Sequence, residues 1–306
     1  MPFFRLFKPR ISLPPPRLRL VVFGTEETLP WPLQLVHPGA LWGAQVGVPA
    51  AAKPSKNPQL LLEQPMEEGD YAFQGVHGTV IACVQQRQKG DSCPGLGASD
   101  DAPRIAGIGP VERERLENAR WMVALELTEV LGEVRDALLF QMELADRLAD
   151  LSTGVVLDQE ALRYYLSGKW RVANAAKPVD AREHVTVHQE KGPKDTLWVH
   201  THGLSKFGCP ELEVRGLPVT LGEAACRLLV ELSQYLVSGG VLRPGQTVGD
   251  SRSPLFLRLR QDDSKRHYAG PSLELVDIGE DGKPLESGGA CGVTVHTLAW
   301  AGQKAV

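Results

Sequence analysis

Residues 196–214, TLWVHTHGLSKFGCPELEV, constrain the fold more than any other part of the chain. The first seven residues alternate in character, which predicts a β-strand. Successive side chains on a strand point to opposite faces, so Trp198, His200 and His202 share one face. The pattern breaks at a glycine and alternation resumes over Glu211, Leu212 and the residues that follow. The stretch therefore predicts two strands joined by an irregular turn.

Two amphipathic helices are predicted on either side of this stretch. Residues 133–151 carry apolar side chains at three- or four-residue spacing. Residues 221–238 do the same, and Thr220 and Glu223 have the T-x-x-E spacing of a capping box. Asp158 is a predicted N-cap for a short helix that runs to residue 166. Strands are predicted at 17–23, 78–85, 121–127, 155–157, 255–260, 272–278 and 291–300.

These elements predict an α+β fold with a largely antiparallel sheet and two main helices. The 31 glycines and 23 prolines predict long loops between the elements. They are dense in residues 86–110, where several aspartates accompany them, which is typical of a linker or long loop. We therefore expect a β-rich, loop-rich N-terminal region over residues 1–105 and an α+β main domain over residues 106–306.

Composition excludes several classes of protein. A net charge of −4 and a pI near 6.1 argue against a nucleic-acid partner, which normally requires a basic face. Five cysteines without a C-x-x-C spacing fit free thiols in a reducing cytoplasm. No apolar run approaches the roughly 20 residues of a membrane-spanning helix, and the common nucleotide-binding, α/β-hydrolase and zincin motifs are absent. We expect a cytoplasmic protein.

Two histidines on one face of a strand can bind a single metal ion. Such an ion also requires a carboxylate and a position for water, and Glu213 follows His202 by eleven residues. This H-T-H with a downstream acidic residue resembles the metal motif of the JAMM metalloproteases. The resemblance implies a zinc-dependent hydrolase that uses His200, His202 and Glu213. Glu213 stands where that family has aspartate, and Pro210 stands where it has serine. No upstream glutamate is clearly assignable as the general base, and Glu126 is the nearest candidate by its order in the chain.

A second resemblance covers residues 121–249. Its hallmark is a T-x-G-[LM]-x-x-F-G-x-P-E-L-E segment, which residues 201–213 match. The segment resembles bacterial domains of unknown function, and this implies a bacterial cytoplasmic α+β protein without an implied activity. Similar-looking domains, including some like the suppressor-of-fused family, are associated with partner binding and toxin immunity.

The sequence favours a non-enzymatic protein-interaction module that carries no cofactor, with an immunity protein as one form that such a module takes. A catalytic zinc site needs three protein ligands, a general base and a group that stabilises the oxyanion, and residues 196–214 supply only part of that set. We expect an exposed face of the sheet to bind another protein. Its predicted binding residues are Trp198, His200, His202, Phe207, Glu211 and Glu213. The alternatives are zinc at His200, His202 and Glu213, or a purely structural role in which Cys209 is an inert buried thiol.

Overall fold

The computed structural model describes residues 18–36, 45–47, 62–88, 91, 93, 94, 96, 105–168, 179–248, 255–260, 271–279 and 281–286. The described residues form two compact units. The first holds the described residues of 18–186 together with 202–207, and the second holds residues 187–201 and the described residues of 208–286. Each unit has a sheet and one long helix, which confirms the predicted α+β class.

The first unit is built on an antiparallel sheet of seven strands. They are β1 (Arg19–Gly24), β2 (Gln45–Gly47), β3 (Gly69–Gly75), β4 (Gly78–Gln86), β5 (Trp121–Val130), β6 (Val155–Asp158) and β7 (Arg163–Leu166). Their order across the sheet is β2-β3-β4-β5-β1-β6-β7. The interior strand β1 is buried along most of its length, as its apolar sequence predicts.

The described helices of the first unit differ greatly in length. They are α1 (Pro32–Leu35), α2 (Pro110–Glu117), α3 (Val134–Leu151) and α4 (Ala181–His184). Helix α3 is the one predicted at 133–151, and its apolar face packs against β1 and β5. The core beneath it includes Leu138, Met142 and Leu148 with buried side chains of the sheet.

The predicted boundary at residue 105/106 does not separate two domains in the described chain. Strand β1 pairs with β5 on one side and with β6 on the other. The N-terminal strand therefore shares a sheet with strands from beyond residue 106. The physical cause is the long-range pairing of a buried apolar strand, which a glycine- and proline-rich segment does not reveal.

The predicted short helix after Asp158 is wrong. Asp158 ends β6, and its Oδ1 accepts hydrogen bonds from the backbone N–H groups of Glu160 and Ala161, at 3.0 and 2.9 Å. An aspartate side chain closes a turn with the same kind of bond that it makes at a helix N-cap. Asp158 therefore makes the kind of bond that the sequence predicted, but the turn leads into strand β7 and not into a helix.

The second unit has a six-stranded mixed sheet. Its strands are β8 (Thr186–Lys191), β9 (Thr196–His202), β10 (Glu211–Pro218), β11 (Thr247–Val248), β12 (Leu255–Arg260) and β13 (Ser272–Asp277), in the order β11-β12-β13-β10-β9-β8. Strand β10 pairs antiparallel with β9 and parallel with β13. The division into units falls inside β9, after Thr201. The predicted strand at 291–300 lies outside the described residues.

Helix α5 (Gly222–Val237) packs against β10 and is the predicted second long helix. The predicted capping box is wrong. The N-cap residue is Leu221, without a side-chain cap bond, and Thr220 lies within a 3-10 turn over Val219–Leu221. A residue already inside a helical turn does not take the extended N-cap backbone that the threonine bond requires. None of the helices in the described part of the chain is long and apolar enough to cross a membrane.

Candidate functional site

Residues 196–214 form β9, a 3-10 turn at Ser205–Phe207, and β10, as the alternation predicts. Glu213 lies opposite His200 in the antiparallel pair, and Val214 lies opposite Val199. Directly opposite residues share a face of the sheet. One face of this pair is therefore apolar, and the other carries Trp198, His200 and Glu213.

The polar face is buried, which differs from the exposed binding face expected from the sequence. His200 and Glu213 are 0% exposed, His202 is 1% exposed and Glu211 is 2% exposed. Strand β10 lies between β13 and β9, so it is an interior strand of the sheet. Trp198 and Phe207 are partly buried. The six predicted binding residues therefore contribute little accessible surface.

Both oxygens of the Glu213 carboxylate accept hydrogen bonds. Oε2 accepts from the indole Nε1 of Trp198 at 2.8 Å and from Nε of Arg215 at 2.9 Å. Oε1 accepts from the hydroxyl of Ser272 at 2.7 Å. The Arg215 guanidinium also lies 4.5 Å from the centre of a Trp198 ring. Glu213 thus links three strands. It does not belong to the group of potential metal-ligating residues described below.

Other residues of the stretch have local contacts. Glu211 Oε2 accepts from the Thr201 hydroxyl at 2.7 Å, and the Thr201 oxygen accepts from the backbone N–H of Leu212 at 2.8 Å. Phe207 packs against the core of the first unit. Burial, and then the nearby Glu211 carboxylate, raise the pKa of Cys209 to about 11, so its thiol stays protonated at neutral pH.

Lys206 forms a buried ion pair that the sequence analysis missed. Its Nζ lies 2.5 Å from Oδ2 of Asp158, and both side chains are 0% exposed. The neighbouring His184 ring meets Phe207 edge to face, with centroids 6.0 Å apart. Burial, followed by the charges of Lys206 and Arg163, lowers the pKa of His184 to about 3. This imidazole is therefore neutral at pH 7, and the cationic group of the cluster is the lysine.

Three histidines come together on adjacent strands. His188 lies on β8, His200 and His202 lie on β9, and one ligand atom from each is within 4.8 Å of the other two. His202 is the last residue of β9, so the strand itself places it beside His200. His188 is partly buried and was missed. Its signal was the alternating segment at 185–190, but the sequence did not show that this strand lies next to β9.

An aromatic ring and a carboxylate border the three histidines. The Trp198 ring stacks on His200 with centroids 4.1 Å apart and an interplanar angle of 29°. The rings of His188 and His200 have centroids 5.8 Å apart. Oε1 of Glu190 lies 3.7 Å from Nε2 of His200. Glu190 follows His188 by two residues on β8, so strand alternation places both on one face.

Imidazole nitrogen is a preferred ligand of zinc and of neighbouring transition metals. Around a tetrahedral zinc, with bonds of about 2.0–2.1 Å, ligand nitrogens lie about 3.3 Å apart. The ligand atoms of the three histidines lie within 4.8 Å of one another, so the side chains would have to move closer together to reach this arrangement. Three protein ligands with a fourth position for water or substrate are typical of catalytic zinc, whereas structural zinc usually has four protein ligands.

Comparisons of the chain with protein-family models, curated proteins and solved structures found no match. A functional assignment therefore rests on the chemistry of the described side chains.

Proposed function

We propose that this chain binds one divalent transition-metal ion, zinc in the first instance, through His188, His200 and His202. The observation that carries the proposal is the convergence of one ligand atom from each histidine within 4.8 Å, on two neighbouring strands. Two of these residues are the histidines that the strand pattern placed on a common face. The structure adds the third.

Electrostatics favours an ion over a purely structural histidine cluster. A neutral imidazole presents one acceptor nitrogen, and a protonated one carries a charge. His200 and His202 are buried and His188 is partly buried, so protonation of two of the rings would bring like charges close together. The charged state costs free energy in a low-dielectric interior. A metal ion accepts all three lone pairs at once.

The third histidine changes the balance between the two hypotheses from the sequence. The interaction module was favoured because residues 196–214 provided too few ligands, and His188 lies outside that stretch. Burial of His200, His202 and Glu213 also leaves little of the predicted contact face accessible to a partner protein. A zinc-dependent hydrolase is the enzyme class that a three-histidine site serves, with His188 in the place assigned to Glu213.

The proposal is tested by measuring bound metal. Protein purified without chelator and dialysed against zinc should retain about one equivalent by elemental analysis, as expected of a single-ion site. Cobalt(II) should give the intense visible absorption of a four-coordinate ion. Because the ion binds only the folded state, zinc should also raise the melting temperature.

Two variants make the test specific. His188→Ala removes the partly exposed ligand and should abolish stoichiometric binding without unfolding the protein, and far-ultraviolet circular dichroism checks the fold. His77→Ala is the matched control, because His77 lies in the first unit beside Asp136 and outside the cluster. Wild-type protein that retains no zinc, or a His188→Ala variant that binds as much as wild type, would overturn the proposal.

A further inference from the structure

We infer that Glu190 is the positioning carboxylate of this site: in the metal-bound protein it accepts a hydrogen bond from Nε2–H of His200, which leaves Nδ1 of that ring for the metal. The inference rests on the proposed function. Its geometric basis is the 3.7 Å separation between Glu190 Oε1 and His200 Nε2. Histidines that bind metals usually donate their other ring N–H to a carboxylate, carbonyl or water, which fixes the tautomer and makes the ligand nitrogen more basic.

The Trp198 ring restricts His200 from a second direction. It stacks on the imidazole at 4.1 Å, which limits rotation of the ring out of its plane. With the ring plane fixed by Trp198 and the Nε2 end facing Glu190, the opposite nitrogen is the one presented to the metal. A shift of less than 1 Å in the Glu190 side chain, which is 35% exposed, would bring the two atoms within hydrogen-bond distance.

Charge supports the same assignment. Three neutral imidazoles leave the two positive charges of a bound ion uncompensated in a buried site, and this is costly. Two buried carboxylates of the same sheet already face arginines. Glu213 contacts Arg215 at 2.9 Å, and Glu274 lies 3.9 Å from Arg260. Oε1 of Glu190 lies beside a histidine of the cluster, so its negative charge can offset part of the charge of the ion.

The experiment compares zinc affinities by competition with a chromophoric chelator. Glu190→Gln and Glu190→Ala should weaken zinc binding about 10–100-fold while one ion per chain still binds at saturation. Glu190→Asp keeps the charge and should recover part of the loss. Glu223→Gln is the control, since Glu223 lies on α5 with a side chain that is 90% exposed, and it should match wild type.

A second measurement separates positioning from a general loss of structure. Nitrogen-15 spectra of the zinc-loaded protein should show His200 protonated at Nε2 and bound through Nδ1, and Glu190→Ala should disturb that signal while the His77 signal stays unchanged. Wild-type protein that binds no zinc overturns the proposed function and this inference together. Zinc binding by wild type with Glu190→Gln within twofold of its affinity, or a His200 signal protonated at Nδ1, overturns the role of Glu190 alone.

Discussion

The same nineteen-residue stretch contributes to two buried polar clusters of very different chemistry. Lys206 meets Asp158 in the first unit, whereas His200 and His202 join His188 at strands β8 and β9. The lysine and the aspartate carry opposite charges 2.5 Å apart, so the pair is neutral by itself. The histidines carry ligand atoms of one kind and have no charge of their own to oppose an ion. Burial of polar groups therefore does not by itself mark a binding site. The groups must also be able to bind a ligand that the protein itself does not supply.

Local hydrogen bonds reinforce this difference. The second oxygen of Asp158 accepts from two backbone N–H groups, so both of its oxygens are engaged by the chain itself. An ion pair of this kind holds the 3-10 turn at Ser205–Phe207 against the end of β6. We therefore assign this ion pair a structural role. We assign the histidine cluster a metal-binding role. Substitutions at the ion pair should therefore lower stability and leave zinc binding unchanged, whereas substitutions at the histidines should lower zinc binding.

The largest effect is expected at the ion pair. Lys206→Met leaves a buried carboxylate without its cation and should lower the free energy of unfolding by about 3–5 kcal/mol, measured by urea denaturation. Zinc stoichiometry of the folded variant should stay at the wild-type value. Adding Asp158→Asn to Lys206→Met should restore part of the stability, since the unpaired charge is then removed. A Lys206→Met variant as stable as wild type would mean that the two clusters do not differ as described.

A smaller effect is expected at Glu213, which is a metal ligand in the alternative hypothesis from the sequence. Glu213→Gln keeps the shape but weakens the bonds from Trp198, Arg215 and Ser272, and should cost about 1–3 kcal/mol of unfolding free energy. Its zinc affinity should stay within a few-fold of wild type. A loss of zinc comparable to that of His188→Ala would instead restore Glu213 as a ligand and remove His188 from that role.

Sequence alternation predicted which side chains share a face, but not what lies over that face. Trp198, His200 and Glu213 do lie together, because the period of a strand is set by backbone geometry alone. Their burial depends on what covers the sheet, and alternation carries no information about that. His188 was missed for a related reason. Its membership in the site depends on β8 lying next to β9, which is a long-range pairing.

Lys206 shows the limit of composition as a guide to burial. Lysine is almost never fully buried unless it is paired, and its partner Asp158 lies 48 residues earlier in the chain. The sequence around each residue gives no indication that the two side chains form an ion pair. The helices were easier to predict, because the apolar spacing of α3 and α5 is a local property. The capping box of α5 was also a local pattern, yet the 3-10 turn before the helix displaced it.

The smallest effect is expected at Thr220, outside both clusters, and it supplies the baseline for the comparison. Thr220 is exposed and makes no cap bond to α5, so Thr220→Ala should change the free energy of unfolding by less than about 0.5 kcal/mol. Asp180→Ala is the matched variant, because Asp180 does cap a helix: its Oδ1 accepts from the backbone N–H of Arg182 at 2.9 Å. Loss of that bond should cost about 1 kcal/mol. Parallel urea melts decide between the two sites, and a Thr220→Ala cost equal to that of Asp180→Ala would show that α5 begins at the capping box after all.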